Sequence, residues 1–340
     1  MLTPLILFQK VYLVSFYVIV NIMNQIFLIG AGFTRAVMGD KASLTNEIMP
    51  KLNLARFPEI IEDYEKTFPD IEQFITQLDL KCLRFVKTNI LLSDKINRIR
   101  DDIVEQIVRM FDMDALSVDN LDKFPVLKKF IKIVPAHSTI LTLNYDCVLD
   151  QGLYLSKRWD PSDGYYVKAL FPGEVGAEEN KKLDNILLLK LHGSCNFRDS
   201  TGNPELFNIE LNNKIFPGFH TQSNGRRTSL DKGAHVLVMS YIKTYWKGIM
   251  KLWRKACESL TNADKLTIIG CSLREEDTFL NYALYHFGRR ENVTELFIDI
   301  VDMDKEICNN IESKVKCLCP WTSKHKITKC DNELKGYLSV

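Results

Sequence analysis

Four polar clusters stand directly after apolar runs of strand length, and each carries residue types that do chemistry. Gln25 to Thr34 reads Gln-Ile-Phe-Leu-Ile-Gly-Ala-Gly-Phe-Thr. A buried strand stopping at Gly30 and Gly32 lets backbone N–H groups approach an anion where the next helix begins, and Thr34 adds a hydroxyl. The others are Thr142-Leu143-Asn144-Tyr145-Asp146, Lys190-Leu191-His192-Gly193-Ser194 and Gly270-Cys271-Ser272-Leu273-Arg274. Each alone has a plain structural reading. Gly-x-Gly also makes an ordinary strand-to-helix turn, Asn144 with Asp146 also caps a helix, His192 also serves as a satisfied core histidine, and Ser272 also serves as an N-cap. Four clusters at the same end of successive strands converge on one edge, and that convergence points to a nucleotide site.

Two familiar phosphate-binding patterns fail on spacing. The dinucleotide fingerprint needs a third glycine where Arg35 stands, and an acid about twenty residues on, where the chain runs through a helical-looking region around Asn53. A P-loop needs Gly-Lys-Ser/Thr, but Gly39 is followed by Asp40 before Lys41.

The elements that must position these clusters follow from periodicity. Thr139 to Leu143, Ile186 to Lys190, His235 to Met239, Lys265 to Ile269 and Leu296 to Val301 are apolar runs that, with the first strand, make six. Continuous runs alternating with helices predict an α/β, Rossmann-like, six-stranded parallel sheet with ligands beyond the strands' carboxyl ends. A helix from Tyr245 to Leu260 covers it, with Trp246, Ile249, Met250, Trp253 and Cys257 on one face. Between the first two strands the spacing is helical. Ile71, Phe74, Ile75 and Leu78 follow Pro69, while Ile96, Ile99, Ile103, Ile107 and Met110 form a second stripe, so 44–134 reads as a helical insertion lobe walling the cleft. Glu72 either points into that cleft or sits on a solvated helix face, and the pattern favours the solvated face.

At 340 residues with 46% hydrophobic and 26% charged side chains, the composition is that of an ordinary globular domain. A net charge of +1 without a clustered basic excess argues against a nucleic-acid surface. Nine cysteines without ligand spacing indicate neither a disulfide framework nor a zinc site, and fit a reducing cytoplasm. Residues 1–22 form an apolar leader. Its uncharged run from Val11 to Met23 is short for a membrane span and lacks the basic start of a secretory signal, so residues 23–340 are read as the folded domain.

In this order the four motifs, Gly30-Ala31-Gly32-Phe33-Thr34, Thr142 to Asp146, Lys190 to Ser194 and Ile269 to Leu273, resemble the sirtuin-like domain family over about Gln25 to Lys305. The resemblance is to the divergent branch similar to bacterial NAD-degrading antiphage effectors. It implies that NAD is the substrate, with Gly30, Ala31, Gly32 and Thr34 along its phosphates and Gly270 and Ser272 opposite. Asn144 and Asp146 would face the nicotinamide ribose and carboxamide, His192 would be the base, and Asp302 would hold the adenosine ribose, with Asp299 and Asp304 as competitors. The paired Cys-x-x-Cys knuckles of the deacylases' zinc module are absent from the sequence, as is their Gly-Ile-Pro-x-Phe-Arg signature. The expected activity is therefore NAD glycohydrolysis without a metal. Alternatives are an NAD-dependent deacylase or ADP-ribosyl transferase, and a non-catalytic NAD or ADP-ribose binding module. The resemblance also implies an abortive-infection effector regulated by homo-oligomerisation or by a separate sensor protein.

Overall fold

The computed structural model describes residues 23–57, 68, 70–111, 116–161, 163–167, 184–199, 208–209, 234–242, 247–291, 293, 295–320, 325–330 and 333–338. The leader at 1–22 lies outside the described residues, as do Pro69, Trp246 and most of the loop-rich stretch from 200 to 233.

β1 (Gln25–Ile29), β2 (Thr139–Thr142), β3 (Leu187–Lys190), β7 (Lys265–Ile269), β8 (Leu296–Val301) and β9 (His325–Cys330) form a six-stranded sheet in the order β3-β2-β1-β7-β8-β9. Every pairing within it is parallel. Leu28 of β1 lies between Leu141 and Ile268, and Ile26 to Ile29 are buried, as a sheet covered on both faces requires. Strand order reverses at the β1/β7 boundary, where the chain winds one way through β2 and β3 and the other way through β8 and β9. That boundary is where an open α/β sheet holds ligands.

The number of strands agrees with the sequence reading, but one member differs. The His235 run belongs to β6 (Ala234–Leu237), which joins β4 (Gly193–Asp199) and β5 (Asn208–Ile209) in a separate antiparallel sheet ordered β5-β4-β6. The sixth parallel strand is β9, whose His-Lys-Ile-Thr-Lys-Cys sequence does not read as an apolar run. It is an edge strand with partly exposed side chains, where charge is tolerated and guards against further pairing.

Helix α1 (Ala31–Met38) leaves β1 at once, followed by α2 (Ile71–Phe85), α3 (Ile90–Met110) and α4 (Pro125–Ile133) before β2. Asp70 caps α2 by accepting from the N–H groups of Glu72 at 2.9 Å and Gln73 at 3.2 Å. The stripes Ile71, Phe74, Ile75, Leu78 and Ile96, Ile99, Ile103, Ile107 are buried, whereas Met110 is only partly so. The insertion serves two places. α2 and α3 pack together and α3 reaches β6, while α4 lies over the parallel sheet against α1 and α5 (Val148–Leu155). Phe130 of α4 meets Phe27 and Phe33 edge-on, with ring centroids 5.5 and 4.9 Å away. Removing such a buried ring costs about 3–5 kcal/mol, which makes α4 a structural cover. On the other side lie α6 (Lys247–Thr261), α7 (Thr278–Tyr285) and α8 (Lys305–Leu318), whereas the short α9 (Glu333–Tyr337) contacts α1.

Candidate functional site

At the switch point the loop after β1 is packed directly on the loop after β7. A Cβ on Gly30 would stand 2.4 Å from the Gly270 carbonyl oxygen, and one on Gly270 would stand 2.4 Å from the Phe33 nitrogen. Gly270 also has φ +56°, a conformation that side chains disfavour. Backbone bonds fasten the two loops, from Gly30 N–H to the Ile269 carbonyl at 3.0 Å and from Gly32 N–H to the Gly270 carbonyl at 2.9 Å. This corrects the phosphate-cradle expectation for those two glycines. Their N–H groups are spent inside the protein, and the missing side chains allow loop to meet loop rather than backbone to meet anion. Ala31, at the first position of α1, lines the cleft, and Ser272 lines it from the other loop as an exposed side chain.

Past β2, Asn144 Nδ2 donates to the Gly30 carbonyl and to Thr34 Oγ1, both at 3.0 Å. Thr34 Oγ1 donates onward to Asp146 Oδ2 at 2.9 Å, and Asp146 Oδ1 accepts the Val148 N–H at 3.0 Å at the start of α5. The Thr34 hydroxyl hydrogen is thus committed to Asp146, so Thr34 does not donate to a phosphate. Asp146 braces the chain instead of offering both oxygens to a ribose. Asn144 lines the cleft, and with both Nδ2 hydrogens committed its side-chain acceptor is Oδ1. Burial raises the Asp146 carboxyl above the ordinary aspartate value, opposed by Lys190 and by the bonds from Val148 and Thr34.

Past β3, His192 is buried and lines the same cleft. Its Nε2 lies 2.9 Å from Asp277 Oδ2, and its Nδ1 lies 3.8 Å from Glu72 Oε1. Asp277 is the N-cap of α7, accepting the Leu280 N–H at 3.2 Å. Glu72 is only 6% exposed, which corrects the solvated-face reading, because the Arg274 guanidinium at 3.6 Å draws it inward. Arg274 also pairs with Asp70, tying the start of α2 to the loop after β7. Gly193, with φ +80°, turns the chain from β3 into β4, and a Cβ there would stand 2.0 Å from the Val236 carbonyl oxygen. Tyr145, beside His192 at a ring separation of 6.1 Å, has a buried hydroxyl with no hydrogen-bond partner among the described residues. Burial, with Glu72 and Asp277 adding to it, pushes that phenol well above its ordinary value.

Of the three acids around β8, Asp302 and Asp304 line the cleft and Asp299 does not. Asp299 is engaged by Tyr337 Oη at 2.8 Å and Lys265 Nζ at 2.6 Å, and Asp304 caps α8. Asp302 is half-buried and lines the cleft, its N–H held by the Cys330 carbonyl of β9 at 3.2 Å. Burial raises its carboxyl, opposed by the backbone N–H groups of Asp304 and Met303.

The cleft joining these groups measures about 460 Å³, within the range of small-molecule sites. No protein-family model matches the chain, and no curated protein matches it. The sirtuin-like resemblance therefore rests on the four motifs themselves. The cleft brings all four together with Asp302. Sequence reasoning missed Asp277, five residues past Ser272, and misjudged Glu72. The apolar pattern of Leu280, Ala283 and Leu284 marks a helix that Asp277 would cap, but nothing local aims that carboxylate at His192. Among the described residues no cluster of three or more His, Cys, Asp or Glu side chains is arranged to hold a metal.

Proposed function

We propose that the chain is an NAD glycohydrolase that cleaves NAD to nicotinamide and ADP-ribose in this cleft. The observation that carries the reading is the meeting of Asn144, His192 and Asp302 with the paired glycine loops around one cavity at the sheet's switch point. Nicotinamide is cationic in NAD and leaves neutral, so the reaction needs no general acid. It needs stabilisation of an oxocarbenium-like C1′ and a nucleophile placed beside it. The carboxylates of Glu72 and Asp277 supply negative potential around His192, the sense required by a developing cation. As the C1′–N bond breaks with its electron pair going to nicotinamide, water attacks C1′ and His192 takes its proton. Asn144 Oδ1 accepts from that water or from a ribose hydroxyl. Asp302 accepts from the adenosine ribose, and Arg35, which lines the cleft while its guanidinium pairs with Asp40 and Glu47, supplies positive charge near the phosphates.

A second reading, a module that holds NAD or ADP-ribose without turnover, draws on the commitment of both Asn144 amide hydrogens to Gly30 and Thr34. Incubating the protein with NAD, with and without an acetyl-lysine peptide, separates the readings. Nicotinamide and ADP-ribose without peptide support hydrolysis. Acetyl-ADP-ribose formed only with peptide supports deacylation, and binding without products supports the module. A role in antiphage defence, with control by self-assembly or a sensor protein, rests on the family resemblance.

A further inference from the structure

We propose that Asp277 and Glu72 are positioning residues that hold His192 so that it accepts its proton at Nδ1. The inference rests on the hydrolase reading for its chemistry, but its statement about the tautomer stands on geometry.

An ionised carboxylate only accepts hydrogen bonds. Asp277 uses both oxygens in this way, Oδ1 for the Leu280 N–H at 3.2 Å and Oδ2 for His192 Nε2 at 2.9 Å. Nε2 must then carry the ring hydrogen, and a neutral imidazole with its hydrogen on Nε2 has its lone pair on Nδ1. Nδ1 faces the insertion, where Glu72 Oε1 lies 3.8 Å away. That exceeds hydrogen-bond length, so Glu72 acts on Nδ1 as a nearby charge. Arg274 holds Glu72 from the loop after β7, and Tyr145 is a further titratable group beside the ring. Trp253 of α6 also lies beside the ring, with ring centroids 6.2 Å apart.

The step balances. A water O–H bond breaks, the oxygen's electron pair forms the new bond to C1′, the C1′–N pair departs with nicotinamide, and the proton settles on Nδ1. The resulting imidazolium lies between one carboxylate from α7 and one from α2. Because Glu72 belongs to the insertion and Asp277 to the sheet's own cover, the base is fully positioned only when α2 is seated on the loop after β7.

The test uses the full chain labelled with ¹⁵N-histidine. In mildly alkaline buffer without substrate, the parent protein's His192 should give the nitrogen shifts of the Nε2–H tautomer. Asp277→Asn, whose amide oxygen still caps α7, should lose that preference, and Glu72→Gln should keep it. In nicotinamide release, Asp277→Asn should lower kcat by about 100-fold or more, as loss of a properly presented base does. Glu72→Gln should lower kcat by about 10- to 100-fold, the usual effect of removing a supporting partner. The KM for NAD should stay within about threefold in both, because neither contact is made to the ground-state nucleotide. Glu72→Asp should recover part of the loss. An Nδ1–H tautomer in the parent, or an unchanged tautomer in Asp277→Asn, overturns the proposal, as does a change in KM without one in kcat. A parent protein that releases no nicotinamide would remove the hydrolase reading while leaving the tautomer to be decided by the spectra.

Discussion

Lys190 and His192 stand two residues apart at the end of β3, both buried and both beside carboxylates, yet their surroundings differ in kind. The Lys190 ammonium reaches Asp150 at 3.1 and 3.2 Å and the Asp146 carbonyl, and Asp150 also accepts from Tyr165, whose hydroxyl takes a bond from Asn196. Every named partner is part of the protein. Burial opposes the lysine's charge, but Asp150, with Cys147, Asp146 and Cys195 adding to it, more than offsets that and holds the ammonium above the ordinary lysine value. The His192 cluster borders the cleft instead. The closed cluster fixes the loop that carries Asn144, and the open one faces whatever enters. Burial and pairing alone therefore do not mark a functional charge; a cavity beside the pair does.

The largest stability effect expected from this contrast is at Lys190. Lys190→Met strands Asp150 as a buried, unpaired charge, which costs about 3–5 kcal/mol, so chemical denaturation should show a large loss. A variant as stable as the parent would erase the distinction between the clusters.

Next comes Asn144, which belongs to both sides. Asn144→Ala deletes two buried bonds to the glycine loop and should cost about 1–3 kcal/mol. The motif alone predicts loss of turnover with ADP-ribose affinity intact. The bridge to Gly30 and Thr34 predicts that ADP-ribose affinity also falls, and calorimetric titration decides which holds.

The smallest effect is a pH dependence at Asp146. Its folded carboxyl is raised above the ordinary 3.8 by burial. The folded protein then binds more proton than the unfolded chain between those two values, so this contribution is complete below 3.8 and is lost as pH rises through the folded value. Asp146→Asn should remove that decline. Thermal melts from about pH 4 to about pH 7 should show the parent losing ground to the variant as pH rises, and parallel curves would contradict the assignment.

How much of this was legible before the fold was known depended on whether the signal was local. The continuous apolar runs of β1, β2, β3, β7 and β8 announce a sheet buried on both faces, and the polar residues after them announce its working edge. β9 was not legible because edge strands carry charge, and the compact apolar run at His235 took its place until pairing put that run in the small sheet. The glycines were legible as a tight loop, but their use was not. Only the approach of Gly270 shows that Gly30 and Gly32 serve loop packing. Asp277 and Glu72 become site residues through contacts with His192 spanning 85 residues in one case and 120 in the other, which local patterns do not encode.

The central claim is that this cleft cleaves NAD with His192 as the base. His192→Gln keeps a donor for Asp277 while removing a group able to take the proton. Nicotinamide release and ADP-ribose affinity, measured on the parent and on this variant after both are shown to be folded, test the claim most directly. The account predicts release lowered by about 100- to 10,000-fold with affinity changed by only a few-fold. A folded His192→Gln protein that releases nicotinamide at the parent rate would contradict it.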